Sequence, residues 1–234
     1  MSNKPILEVE KLNVGYQTKD GEIHAVQDVS FKVFSNEVFG IAGESGCGKS
    51  TLIKAIMRLL PENGKMDAHS IKYKDQKIDR MSENIFRNEV LWAQISLVPQ
   101  SAMNSLNPVY KVGEQIVEAI QAHTSQGKKE ARERVEELFD VVGLQSEFMD
   151  SFPHEFSGGM RQRAMIAMAL ALDPGLIIMD EPTTGLDVLV QEKILRRIRE
   201  IRKQIRSSII LITHDIAVIA EMSDRIAVMY GGRI

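Results

Sequence analysis

Short apolar runs alternate with segments whose apolar residues recur at helical spacing, and the switches between the two divide the chain into elements. Ile6–Val9, Ala25–Val33 and Val38–Ile41 are β-branched or aromatic stretches parted by turn chemistry at Thr18-Lys19-Asp20-Gly21 and Ser35-Asn36-Glu37, which predicts three strands. Gly43–Gly48 interrupts the pattern, and Ser50–Leu60 reads as a helix stopped by Pro61. A strand at Ser70–Tyr73, a helix at Ser82–Leu91 and a strand at Ile95–Val98 follow. From Ser101 to about Phe156 the character turns helical, with Val112–His123 and Lys128–Val142 showing 3.6-residue spacing. Alternation then returns: helix Gly159–Leu172, strand Leu176–Asp180, helix Val188–Arg206, strand Ser208–Thr213, helix Ile216–Met222 and strand Arg225–Met229. Buried strands alternating with helices imply an α/β fold with a mostly parallel sheet covered on both faces. The all-helical stretch reads as an insertion, so the expected division is a core of residues 1–100 and 157–234 and a helical sub-domain of residues 101–156.

Composition adds mainly exclusions. Hydrophobic residues make up 44% of the 234 and charged residues 26%, a globular balance that excludes disorder for most of the chain. The net charge of −3 argues against a nucleic-acid backbone as the main partner, because phosphate binding usually shows as a basic surplus. Helix Val188–Arg206 is locally basic, but Ile194, Ile198, Ile201 and Ile205 form a stripe on it. Its arginines therefore read as the solvated face of a core-packing helix. The single cysteine, Cys47, cannot form an intrachain disulfide, which fits a reducing compartment. The N-terminus carries charges and no apolar leader region. The longest apolar run, Ala164–Leu172, is nine residues against the roughly 20 of a membrane span, and reads as a buried helix.

Gly43-Glu44-Ser45-Gly46-Cys47-Gly48-Lys49-Ser50 matches the pattern G-x-x-x-x-G-K-[ST], between a buried strand and a helix as that pattern requires. Its glycines let backbone N–H groups turn inward around phosphate oxygens, and the helix adds its positive end. Lys49 is expected to reach the β- and γ-phosphates and the Ser50 hydroxyl to ligate Mg²⁺. Leu176–Met179 is an apolar strand ending in Asp180 and Glu181, which places two carboxylates at the ligand-binding edge of such a sheet. Asp180 is expected to hold Mg²⁺, and Glu181 to orient or deprotonate the water attacking a γ-phosphate. Ser157-Gly158-Gly159 opens a helix and is a further anion-binding candidate, although a Ser157 N-cap explains it equally well taken alone.

Taken with those motifs, Phe156-Ser157-Gly158-Gly159-Met160 resembles the LSGGQ signature of ATP-binding-cassette (ABC) ATPases, with Phe156 and Met160 replacing its first and last residues. The resemblance covers essentially the whole chain. It implies a nucleoside-triphosphatase fold with a phosphate loop, an N-terminal antiparallel β part and an inserted helical sub-domain. It also implies a nucleotide site, for ATP with Mg²⁺, spread over Tyr16 stacking on adenine, Gly43, Glu44, Ser45, Gly46, Cys47, Gly48, Lys49, Ser50 and Thr51 around the phosphates, and Ser157, Gly158, Gly159 and Asp187. Gln100 matches the family's glutamine that reaches the metal and senses the membrane partner. Thr184-Gly185-Leu186-Asp187 looks like the D-loop, and His214 like the switch histidine at the γ-phosphate. The expected catalytic set is thus Glu181, His214, Lys49 and Gln100, and the metal set is Ser50, Gln100 and Asp180.

Gln100-Ser101-Ala102-Met103-Asn104-Ser105-Leu106-Asn107-Pro108 and His154–Met160 resemble most the ATPases of dipeptide, oligopeptide and nickel importers. That implies a peripheral protein at the cytoplasmic membrane face, powering an importer of di- or oligopeptides. The implied partners are a second ATPase, itself or a paralogue, in a two-fold head-to-tail dimer, integral membrane permease subunits, and indirectly a solute-binding protein. A soluble cassette ATPase acting on nucleic acid is the alternative, disfavoured by the absence of sustained heptads and of a basic surplus. A small-molecule kinase would leave the Ser157 signature and His214 without a role.

Overall fold

The computed structural model describes residues 4–100 and 105–234. The chain divides into two compact units, Met1–Leu91 with Ser208–Ile234, and Trp92–Ser207.

The first unit opens with an antiparallel hairpin of β1 (Pro5–Thr18) and β2 (Gly21–Phe34), in register at Val9↔Phe31 and Thr18↔Gly21. The register shifts between Val9 and Leu12 and again between Leu12 and Val14, and Lys11 and Asp28 take φ of 49°. These bulges interrupt the two-residue alternation, so only Ile6–Val9 and Ala25–Val33 stand out in the sequence. The displaced amides are satisfied by side chains: Lys11 N donates to Ser30 Oγ and Asp28 N to Asn13 Oδ1, both at 2.9 Å. The buried strand β3 (Val38–Ala42) leads through a glycine-rich loop into α1 (Lys49–Ile56). Then β4 (Gly64–Asp67) and β5 (Ser70–Tyr73) both pair with β1, and β6 (Gln76–Lys77) extends the sheet beyond β5.

Two expectations are corrected here. Helix α1 ends at Ile56, not Leu60, because Arg58 takes a left-handed φ of 54° and donates to the carbonyls of Met81, at 2.8 Å, and Ile78. The helix expected at Ser82–Leu91 is only α2 (Glu83–Ile85) running into a π turn at Phe86–Val90, over whose Phe86 ring the Arg58 guanidinium lies at 4.4 Å.

The second unit contains β7 (Ile95–Val98), α3 (Val112–His123), α4 (Lys128–Val142), α5 (Gly158–Leu170), β8 (Leu176–Asp180) and α6 (Val188–Gln204). Strands β7 and β8 are parallel neighbours, paired from Ile95↔Leu176 to Val98↔Met179. Their helices bury the faces that periodicity selects: Ile116 and Ile120 on α3, Val135, Leu138 and Phe139 on α4, and Ile194, Ile198 and Ile201 on α6. Ile205 lies past the end of α6 and is only half-buried. The apolar run of α5 is core, with Ala164, Ile166 and Ala167 almost without exposed surface.

The chain returns to the first unit with β9 (Ser208–Thr213), α7 (Ile216–Met222) and β10 (Arg225–Val228). Strands β9 and β10 flank β3 and run parallel to it. The fold is therefore α/β, with an antiparallel N-terminal sheet, parallel strands and covering helices. No helix among the described residues is long and apolar enough to cross a membrane.

Candidate functional site

In the first unit, β3 delivers the glycine loop at the carboxyl end of parallel strands. The loop closes tightly because a Cβ on Gly43 would stand 2.3 Å from the Met229 carbonyl oxygen, and one on Gly48 would stand 2.4 Å from that of Ala25. Gly48, just before α1, has φ 110°, a conformation open to glycine alone. The start of α1 has neither a side-chain cap nor an acidic residue in its first turn. Its N-terminal amides and positive dipole end therefore suit an anion. Lys49 is 4% exposed, and its ammonium donates to the Gly43 and Glu44 carbonyls, both at 2.7 Å. The cation is thus folded along the loop it serves. Glu44, Ser45 and Gly46 form the exposed tip, Cys47 is buried, and Ser50 and Thr51 are half-buried in the first helical turn.

Two further expected residues come to this loop. Tyr16 reaches it from β1, its hydroxyl donating to Thr51 Oγ1 at 3.3 Å. His214 follows β9, whose Thr213 pairs with Ala42, so His214 and Gly43 leave adjacent parallel strands at the same level. His214 is exposed, between Thr213, whose hydroxyl accepts from Asp215 N at 3.0 Å, and Asp215, which caps α7.

In the second unit, Asp180 ends the buried β8 and is 7% exposed. Glu181 then takes a left-handed φ of 50° that turns the chain sharply. Its Oε2 accepts from Gln100 Nε2 at 3.1 Å and from Thr184 Oγ1 at 2.8 Å. The carboxylate is therefore fixed from two sides. Thr184 opens the stretch read above as the D-loop; its hydrogen bond to Glu181 is not among the roles expected there, and its place three residues after Glu181 in a turn is the available signal.

The signature forms a second cluster in this unit. Ser157 caps α5, accepting from Met160 N at 3.3 Å. Phe156 is buried and meets Phe148 edge to face at 5.8 Å, so an aromatic fills the position where the resembled family has leucine. Asp187 caps α6 through Val190 N at 3.0 Å, and a Cβ on Gly159 would stand 2.7 Å from Val190 Cγ1. A side chain at position 159 would thus press on the first turn of α6, and Val190 would have to shift to admit it. Ser101–Asn104, quoted above within the importer-like stretch, lie outside the described residues.

A family model described as ABC transporter matches residues 26–184, a span that holds the phosphate loop, Gln100, the signature and Glu181. The chain belongs to the ABC transporter family. A second model, described as an AAA domain, putative AbiEii toxin, Type IV TA system, matches residues 152–220. The cassette is similar to the dipeptide transport ATP-binding protein DppD of Bacillus subtilis (strain 168), 44% identical over 98% of this chain and 69% of that protein. It is 44% identical to the oligopeptide transport ATP-binding protein OppD of the same organism, over 98% of this chain and 64% of that one. The corresponding OppD of Escherichia coli (strain K12) is 43% identical over 97% and 68%. The chain thus spans about two thirds of the length of these curated relatives. Among solved structures, the dimeric post-hydrolysis state of the ATP-binding cassette MJ0796 bound to ADP and Pi superimposes with a TM-score of 0.83. Its identity is 26%, and the match covers 97% of this chain and 96% of that one. CbiO1 from Clostridium perfringens, part of the ABC transporter complex cbiONQ, gives 0.80 at 30% identity, over 98% and 86%. This cassette is an ABC-type ATPase.

Proposed function

We propose that this cassette powers a membrane importer of di- or oligopeptides, hydrolysing ATP as one half of a two-fold head-to-tail pair. The observation that carries the catalytic reading is the double hydrogen bond on Glu181, from Gln100 and Thr184. A carboxylate held in place at a strand end is suited to position a water and take its proton. The names of the relatives carry the peptide reading.

In this reading the ring of Tyr16 stacks on adenine, and Gly43–Thr51 wraps the phosphates with backbone amides and the Lys49 ammonium. A water oriented by Glu181 gives its proton to that carboxylate as its oxygen bonds to the γ-phosphorus. The bond from that phosphorus to the β-phosphate oxygen breaks, and its electrons stay on ADP, whose charge Lys49 and the loop amides stabilise. His214 contacts the γ-phosphate. Ser157, Gly158, Gly159 and Asp187 serve the nucleotide of the opposite cassette. The donors assigned to Mg²⁺ fit a hard cation: the Ser50 hydroxyl, the Asp180 carboxylate and the Gln100 amide oxygen, which stays available because Nε2 is the atom turned to Glu181. Bound there, the ion supplies charge neutralisation to the phosphates.

The helical stretch 101–156 is assigned as the face that meets the permease subunits, with Gln100 as its hinge. The cassette then sits at the cytoplasmic membrane face, and meets the solute-binding protein only through the permease. The test is reconstitution of co-purified membrane subunits with the cassette in vesicles. ATP-dependent uptake of a labelled tripeptide, lost with Glu181→Gln, is expected. ATPase activity stimulated by DNA, with no peptide uptake, would replace this reading with the nucleic-acid one.

A further inference from the structure

Two arginines outside the nucleotide-binding set meet at the carboxyl end of α4. That helix stops at Gly143, in a left-handed conformation with φ 71°. Arg197, on α6, donates through Nη2 to the Asp140 carbonyl at 2.5 Å, and a Cβ on Gly143 would lie 3.3 Å from its guanidinium. Arg163, on α5, donates through Nη1 to the Gly143 carbonyl at 2.6 Å and through Nε to the Gly159 carbonyl at 3.3 Å. The last carbonyls of a helix lack intrahelical partners and carry its negative dipole end, so guanidinium forks suit them. Burial pushes the Arg163 pKa down, and the nearby Arg197 charge adds to that. The cation is thus kept half-buried beside a like charge, held by carbonyl oxygens. A cavity of about 420 Å³ lies alongside, bordered by Ser157, Gly159, Arg163, Lys193 and Arg197. On this side the Arg163 hydrogen bonds hold the signature, beside the close approach of Gly159 to Val190.

We propose that Arg163 is a positioning residue for ATP hydrolysis: by bridging the carbonyls of Gly143 and Gly159, it sets the angle at which Ser157–Gly159 meets the opposite cassette's nucleotide. The proposal rests on the composite-site reading given above. It makes the end of α4, within the stretch assigned to the permease, the joint through which a movement of that stretch reaches the signature.

The test compares Arg163→Gln, Arg163→Lys, Gly143→Ala and, as control for the composite site, Ser157→Asp, each first checked for folding by circular dichroism. Misplacing a catalytic contact by about 1 Å can cost on the order of 10²-fold. Arg163→Gln is expected to lower kcat about tenfold or more while MgATP affinity stays within about twofold. Arg163→Lys should recover part of the loss, because an ammonium can serve one carbonyl but lacks the fork for two. Gly143→Ala should lower kcat in the same way, and the double variant with Arg163→Gln should be no worse than the poorer single one. Should Arg163→Gln not fold, Gly143→Ala carries the test on the same two readouts. Full kcat in Arg163→Gln with Ser157→Asp inactive would overturn the proposal alone. So would a fall in kcat matched by an equal loss of MgATP affinity. An active Ser157→Asp would overturn the composite-site reading, and this proposal with it.

Discussion

Gln100 donates to Glu181 at 3.1 Å because each stands two residues beyond the last registered pair, Val98↔Met179, of adjacent parallel strands. Parallel register carries residues at the same offset out of the sheet side by side. Any displacement of the segment that follows Gln100 is therefore felt first at the carboxylate assigned to the attacking water. In the proposed function, this one hydrogen bond is the route from the docking face to the chemistry.

Glu181→Gln is expected to bind MgATP with little change and to hydrolyse it on the order of 10²-fold more slowly or worse, since the water loses its proton acceptor. Thr184 and Gln100 can both still hydrogen-bond the substituted amide, so the strand end should keep its shape. Single-turnover hydrolysis together with equilibrium nucleotide binding checks this. Near wild-type turnover would remove Glu181 from the role of base.

Lys49→Ala is expected to weaken nucleotide binding itself. Its ammonium is held along the loop by the Gly43 and Glu44 carbonyls, and in the proposed site it meets the phosphates already in the ground state. Calorimetry should show the affinity loss, in contrast to Glu181→Gln. Equal affinity would overturn the assignment.

The loop glycines should differ in tolerance. Gly48 combines φ 110° with a backbone oxygen 2.4 Å from its would-be Cβ, whereas Gly46 has φ 81° and open space around it. Backbone strain alone costs about 1–3 kcal/mol at either position, and only Gly48→Ala adds a collision with backbone that cannot swing away. Urea unfolding should rank Gly48→Ala clearly below Gly46→Ala. Equal losses would mean that the loop relaxes around the added methyl.

Candidate residues are more legible in the sequence than the contacts that orient them. Strands such as Leu176–Asp180 and Ser208–Thr213 appear at their expected bounds, because fully buried strands read as unbroken apolar runs. The hairpin of β1 and β2 is hidden by its bulges, and β4, Gly-Lys-Met-Asp, is four residues long with one large apolar side chain, too short for its alternation to stand out. Helix α1 stops short of the Pro61 breaker because a tertiary contact, Arg58 with the 78–86 segment, outweighs local propensity. Residue type and spacing single out Lys49, Asp180 and Glu181 as candidates, and the structure places Lys49 along the glycine loop and the two carboxylates at the end of β8. The left-handed turn at Glu181 has no signal in its residue type, because a glutamate rarely takes a positive φ, and the arginine contacts at the end of α4 depend on partners distant in sequence.

The last prediction separates a site built across two cassettes from one built within a single chain. Ser157→Asp suits the signature arm of the test. Aspartate caps a helix as well as serine does, so α5 should keep its start, while a carboxylate placed toward the phosphates repels them. Lys49→Ala and Ser157→Asp homodimers should each be nearly inactive. In a mixed dimer, the Ser157→Asp chain keeps an intact phosphate loop and faces the intact signature of the Lys49→Ala chain, so one of the two sites is whole. Random pairing makes about half the dimers mixed, and about a quarter of wild-type sites should return. ATPase activity measured across mixing ratios should therefore peak at equal amounts and vanish at both ends. Sites completed within one chain would give no activity at any ratio, because every chain in the mixture carries one disabling substitution.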